Sequence, residues 1–367
     1  MTHAAVRPQT LWFTRCPVPT ATGIAADLRW LGDEFAPDGI EVRSLQDAAP
    51  GADRAAHFTH EHSALFREGG NVPALWARSR GERTRLIGLT WIEERQSVLV
   101  APGSGIRGAE ALRGLRIAVP KHRIAIDFWR AMALRGFEGA LASAGLGLVD
   151  AVPVDIPADG HEGQWAAELA ALRRGDVDAV YVKGALAVEA ARRSGAEVAV
   201  ELDELPDRRF RVNNGTPRPI TVHQDLLDEH PGLVDRFLAV LLRAADWATG
   251  RPDEVARILG AETGAGADGI AGAYRPGTHL TLHPDLSPQR LALLAQQETA
   301  LHAHGFLHGR VDIAAWADPG PLRRAAALNS GRPAPTGPGT DPAGTPDAST
   351  PDAPTPSASR APRTPAP

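Results

Sequence analysis

From residue 11 to residue 223 the chain repeatedly swaps short apolar runs of strand character for amphipathic stretches of helical period, and few architectures accommodate that pattern. Strand-like runs at 40–45, 84–90, 97–100, 116–119, 152–156, 177–182, 197–202 and 219–223 are separated by helical stretches at 28–35, 73–78, 165–174 and 185–193, with a longer one within 123–148. Such alternation predicts an α/β fold with a largely parallel sheet, because parallel neighbours need crossover connections. In open sheets of this kind, ligands sit at the carboxyl ends of the strands. Residues 55–70 read as a short helix capped by Thr59 and stopped by Gly69-Gly70. Beyond His223 the chain reads as mainly helical (231–249, 252–259, 288–305), with a loop at 264–269. From about residue 330 it becomes a Pro/Ala/Thr-rich tail with almost no large apolar residue, expected to be disordered.

At 367 residues the length suggests two compact domains or one large one, with ample material for a core, and the single cysteine excludes an intramolecular disulfide. Residues 1–10 lack a basic-then-apolar leader, so a cytoplasmic location is expected. No run approaches a membrane span, and a formal charge of −5 offers nucleic acid no electrostatic attraction. A monomer is the expectation. Gly103-Ser104-Gly105-Ile106-Arg107-Gly108 matches the spacing of a dinucleotide fingerprint, but only a few residues separate it from the next strand, too few for the crossover helix such a site needs. The His57, His60, Glu61, His62 group matches neither zinc-helix spacing, so no metal is expected. His302, His304 and His308 sit near a helix end and read as structural.

Residues 11–19 (LWFTRCPVP) concentrate the chemistry. An apolar run meeting an X-Pro bond places Cys16 at a strand's carboxyl end. Taken alone, a free cysteine is more often a packed hydrophobe. A thiol becomes reactive only where a neighbouring imidazole or guanidinium stabilises the thiolate. His57 and Arg67 are the candidates for that role, and Gly69-Gly70 offers backbone N–H groups that can approach an anion.

Cys16-Pro17-Val18-Pro19, His57-Phe58-Thr59 with Arg67 ten residues beyond His57, Gly69-Gly70 and the run from Arg83 to Thr90 together resemble the 2'-hydroxybiphenyl-2-sulfinate desulfinase family. Leu112 to Val119, Gly175 to Ala179 and the 231–247 helix resemble the broader type II periplasmic solute-binding-protein fold of sulfonate, nitrate and thiamine-precursor proteins. The thiamine-precursor synthases need a cysteine-rich motif that a single cysteine cannot supply.

The resemblance implies a two-lobed α/β fold with a ligand cleft between the lobes. Lobe 1 would comprise residues 1–92 plus 213–329 and lobe 2 residues 93–212. It implies Cys16, His57 and Arg67 as catalytic residues and Gly70 as a backbone donor to the sulfinate. Phe58, Trp129 and Phe137 would line the ring space, and His60 and His62 stand where the family has tyrosine and glutamine. The implied activity is hydrolytic C–S cleavage of a small-molecule aromatic sulfinate with release of sulfite and no cofactor. Cys16 acts either as a nucleophilic thiolate or as a thiol protonating the ring carbon. The alternative is a non-catalytic solute-binding protein of a transporter for a sulfonate-like anion, which needs the arginine but not the thiol.

Overall fold

Ten strands occur among the described residues: β1 (Thr10–Arg15), β2 (Glu41–Ser44), β3 (Leu65–Glu68), β4 (Thr84–Thr90), β5 (Gln96–Val100), β6 (Arg116–Lys121), β7 (Val152–Pro157), β8 (Ala179–Lys183), β9 (Glu197–Glu201) and β10 (Arg218–His223). The computed structural model describes residues 7–48, 52–158 and 164–330, so the tail lies outside the described residues. The strands form two five-stranded sheets, ordered β2-β1-β3-β10-β4 and β7-β6-β8-β5-β9. The chain passes from the first sheet to the second between β4 and β5 and returns between β9 and β10.

Both sheets are mixed, which corrects the expectation of a largely parallel one. β1 runs parallel to β2 and β3, and β6 parallel to β7 and β8. β10 is antiparallel to β3 and β4, and β5 antiparallel to β8 and β9. The two exceptions are the strands that follow a crossing. A chain that leaves one sheet at its carboxyl edge enters the next sheet at the facing edge and must run back from it. The registers record this: Arg218, the first residue of β10, is opposite Thr90, the last of β4, and Gln96 is opposite Lys183.

The segment 55–70 also differs from its expected form. The helix is Ala52–Thr59, so Thr59 ends it rather than capping its start, and His60 follows in a left-handed conformation (φ 61°). Leu65–Glu68 is then a strand with all four residues buried. A short run buried on both faces has no period to distinguish strand from helix, and the central position of β3 decides the matter. Likewise the expected loop at 264–269 already contains the start of a helix, Ala267–Ala273. The glycine-rich 103–108 segment is a loop with Gly103, Gly105 and Gly108 at positive φ, leading into a single 3-10 turn.

The first sheet packs on the helix Pro231–Ala248, whose apolar face is buried almost throughout. At that contact the rings of Phe66 and Phe237 stack with centroids 3.9 Å apart and 3° between planes. Phe66 immediately precedes Arg67, so this packing also sets the depth of the arginine. Among the described residues, no helix is long and apolar enough to cross a membrane. Phe237→Ala is expected to cost ~3–5 kcal/mol, the usual range for emptying a buried aromatic site, measured by urea unfolding.

Candidate functional site

Strand direction alone brings the reactive groups together. β1 and β3 end at the same edge of the first sheet and β10 begins there, so Cys16, the Gly69-Gly70 turn and Arg218 share one edge. Thr14 is paired with Arg67 and Arg67 with Thr221 across the three strands.

His57, near the end of its helix, lies over this edge. Its Nδ1 is 2.8 Å from Thr14 Oγ1, and the ring shares the cavity wall with the half-buried Cys16 thiol, whose pKa it helps to lower. Arg67 is 0% exposed. Its Nε donates to the His57 carbonyl (2.8 Å) and its Nη1 to the Gly70 carbonyl (3.1 Å), while Nη2 has no partner. Gly70 is held in turn by the returning chain: Asn71 N donates to Asn214 O (2.6 Å), Val72 N to Asn214 Oδ1 (2.9 Å), and Asn71 Nδ2 to the carbonyls of Asn213 (2.7 Å) and Pro217 (2.9 Å). A Cβ on Gly70 would stand 2.4 Å from Asn214 Oδ1, so only glycine allows this approach.

The charges settle around the thiol. Burial pushes Cys16 up, but Arg218, the His57 hydrogen bond and Arg67 outweigh it and hold the thiol well below its ordinary range. Burial and then Arg67 lower His57 below the usual imidazole value, so the ring is neutral near pH 7. Burial brings Arg67 down to about 10, which leaves it charged. The guanidinium groups thus favour the ionised form of the thiol, beside an imidazole that burial keeps neutral.

These residues floor a cavity of about 260 Å³ whose walls come from both sheets, including Phe58, Trp129, Lys183 and Tyr274. Beyond Phe58, Phe128 and Trp129 it opens into a second space of about 590 Å³ lined by Ile126, Trp165 and Ala167 among others. Phe58 stacks on Phe128 (5.9 Å, 19°), and Trp129 meets Trp165 edge to face (5.8 Å, 87°). A flat apolar ring fits between such walls, with a charged group directed to the floor.

Five of the residues singled out from sequence, besides Trp129, therefore meet: Cys16, His57, Phe58, Arg67 and Gly70. Three do not. Phe137 is 0% exposed in the core of the second sheet, its ring 6.5 Å from that of Tyr181, because its helix turns it inward. His60 is buried, with Nδ1 3.2 Å from the Phe58 carbonyl, and burial drives it well below the usual imidazole range. His62 packs against Trp12 with centroids 5.8 Å apart. The left-handed turn at His60 carries both rings off the helix face that bears His57.

No family model matches the chain. The 2'-hydroxybiphenyl-2-sulfinate desulfinase of Rhodococcus erythropolis is 30% identical over 356 residues, covering 86% of this chain and 93% of the relative, and that of Rhodococcus qingshengii gives the same figures. The chain belongs to the 2'-hydroxybiphenyl-2-sulfinate desulfinase family. Among solved structures, a cysteine-to-serine variant of DSZB in complex with biphenyl-2-sulfinic acid is 26% identical with a TM-score of 0.68, covering 87% of this chain and 99% of that one. The periplasmic aliphatic sulphonate binding protein SsuA of Escherichia coli shares the fold, with 17% identity and a TM-score of 0.65 over 85% of this chain and 92% of its own. The two lobes of this desulfinase relative thus have the type II periplasmic-binding-protein architecture.

Sequence reasoning missed Arg218, Tyr274 and the buried Lys183–Glu94 ion pair (2.6 Å), all on the cavity wall. Arg218 left one signal, a charge between Pro217 and Pro219 at the start of an otherwise apolar buried run.

Two measurements check this geometry. Iodoacetamide alkylation of Cys16, followed by mass spectrometry against pH, is expected to show its midpoint well below the ordinary thiol value of about 8.5; a midpoint at or above it would mean that burial outweighs the guanidinium groups. Gly70→Ala is expected to push Asn214 away and lower unfolding stability by ~1–3 kcal/mol in urea.

Proposed function

We propose that this protein is a desulfinase, a hydrolase that cleaves the C–S bond of an aromatic sulfinate, 2'-hydroxybiphenyl-2-sulfinate or a close analogue, and releases sulfite. One observation carries the reading: a half-buried thiol shares an apolar-walled cavity with His57 and with the fully buried, incompletely partnered guanidinium of Arg67. A mere anion binder has use for the arginine and none for the thiol.

In this reading Arg67 Nη2 and the Gly70 N–H hold the sulfinate oxygens, and Phe58 and Trp129 flank the ring. The depressed thiol favours nucleophilic attack over proton donation. The Cys16 thiolate attacks sulfur, the C–S bond breaks, and its electron pair stays with the ring carbon, which takes up one proton relayed by His57. An S–S-linked Cys16 sulfinate remains on the enzyme. Water adds to its outer sulfur, the S–S bond breaks, and bisulfite leaves with return of the thiolate and one proton. The sum is sulfinate plus water giving arene plus bisulfite, with no oxidant, reductant or cofactor. Closure of lobe 1 (1–92 plus 213–329) on lobe 2 (93–212) would exclude bulk water while the ring is bound.

Sulfite release from 2'-hydroxybiphenyl-2-sulfinate and a panel of aryl and alkyl sulfinates tests the proposal. Cys16→Ser is expected to keep sulfinate binding and lose turnover by a factor on the order of 10³ or more. A wild-type protein that binds sulfinates yet releases no sulfite from any of them would instead be a solute-binding protein for a sulfonate-like anion.

A further inference from the structure

The cavity holds a second buried guanidinium that the steps above leave unused. Arg218 is 3% exposed, and its Nε and Nη1 have no hydrogen-bond partner. Nor has it a salt-bridge partner among the described residues, because the nearby carboxylates are engaged elsewhere. Glu68 accepts from Thr22 Oγ1 (2.6 Å) and Thr90 Oγ1 (2.9 Å), and Glu94 is paired with Lys183 at 2.6 Å. Leaving two guanidinium N–H groups dry is costly, and the arrangement persists only where something fills the need. Arg218 shares the cavity wall with Cys16, Arg67 and Gly70.

We propose that Arg218 is a second sulfinate-binding residue, whose unpartnered N–H groups take a substrate oxygen alongside Arg67. The charges support it: the guanidinium groups of Arg67 and Arg218 line the same cavity, and their positive charge, only partly offset by Cys16 and Glu68, attracts an anionic head group. A neutral ester or amide of the same ring system would leave that charge uncompensated in a dry site. Arg218 thus selects for the anionic head group while the aromatic walls select the ring. It is also the cation that acts most strongly on the Cys16 sulfur.

The identity of the ligand rests on the desulfinase reading, but the two fail separately. Binding of biphenyl-2-sulfinate is measured by calorimetry in the Cys16→Ser protein, where turnover plays no part. Adding Arg218→Met is expected to weaken binding tenfold or more, and Arg218→Lys to weaken it less, since an ammonium keeps the charge but not the planar fork. In the otherwise wild-type protein, Arg218→Met is expected to move the alkylation midpoint of Cys16 upward, a change that a purely structural role would not produce. Binding within twofold of the parent in Arg218→Met overturns the proposal, as does binding in Arg218→Lys that is no weaker than the parent. If Arg218→Met fails to fold by circular dichroism, Arg218→Lys decides it alone. Absence of sulfite release by the wild type, with the Arg218 effect intact, would remove the desulfinase reading and leave this one standing.

Discussion

A guanidinium removed from water without a carboxylate beside it is among the more costly things a fold can bury, and this structure is organised around one. Arg67 lies on β3 at the middle of its sheet, fully buried, and two backbone carbonyls engage only part of its donor set. Its Nη2 has no hydrogen-bond partner, and the Cys16 sulfur lies on the same cavity wall. Arg218 first, then His57 and Arg67, draw the Cys16 thiol down against the burial that pushes it up.

Holding that pair in register takes rigid backbone. The carbonyls that engage Arg67 belong to His57 and Gly70, so the arginine ties the helix before β3 to the turn after it. Asn71 fastens that turn to the returning chain, and Asn213 continues the chain of hydrogen bonds through Tyr181 Oη (2.7 Å) to Gln96 Oε1 (2.7 Å) in the second sheet. A continuous line of hydrogen-bonded amide and hydroxyl groups therefore runs from the cavity floor into the other lobe. Fully satisfied networks of this kind specify one arrangement, because any shift strands a polar group.

Much of this was legible along the chain. The alternation of elements indicated α/β structure, the family resemblance its two lobes, and the Cys16-Pro17 bond placed Cys16 at a strand's end, where it lies. Cys16, His57, Arg67 and Gly70 were readable because their spacing is short and their chemistry is distinctive. His60 and His62 lie off the cavity lining, after a single left-handed residue that nothing in the local composition announces. Phe137 lies in the core rather than on the cavity wall, because one helix offers aromatic residues to both and only packing distinguishes Trp129 from it.

What the sequence determined by itself is therefore the set of chemical groups and the alternating pattern that puts strand ends, rather than strand middles, at a ligand edge. Tertiary structure decided which charges meet. The mixed strand direction imposed by the two crossings brings Arg218, 202 residues from Cys16 in the numbering, to the same cavity floor, and no local pattern encodes that meeting. The thiol's acidity depends on the sum of burial and nearby positive charge at one point in space, so it exists only once the lobes have folded.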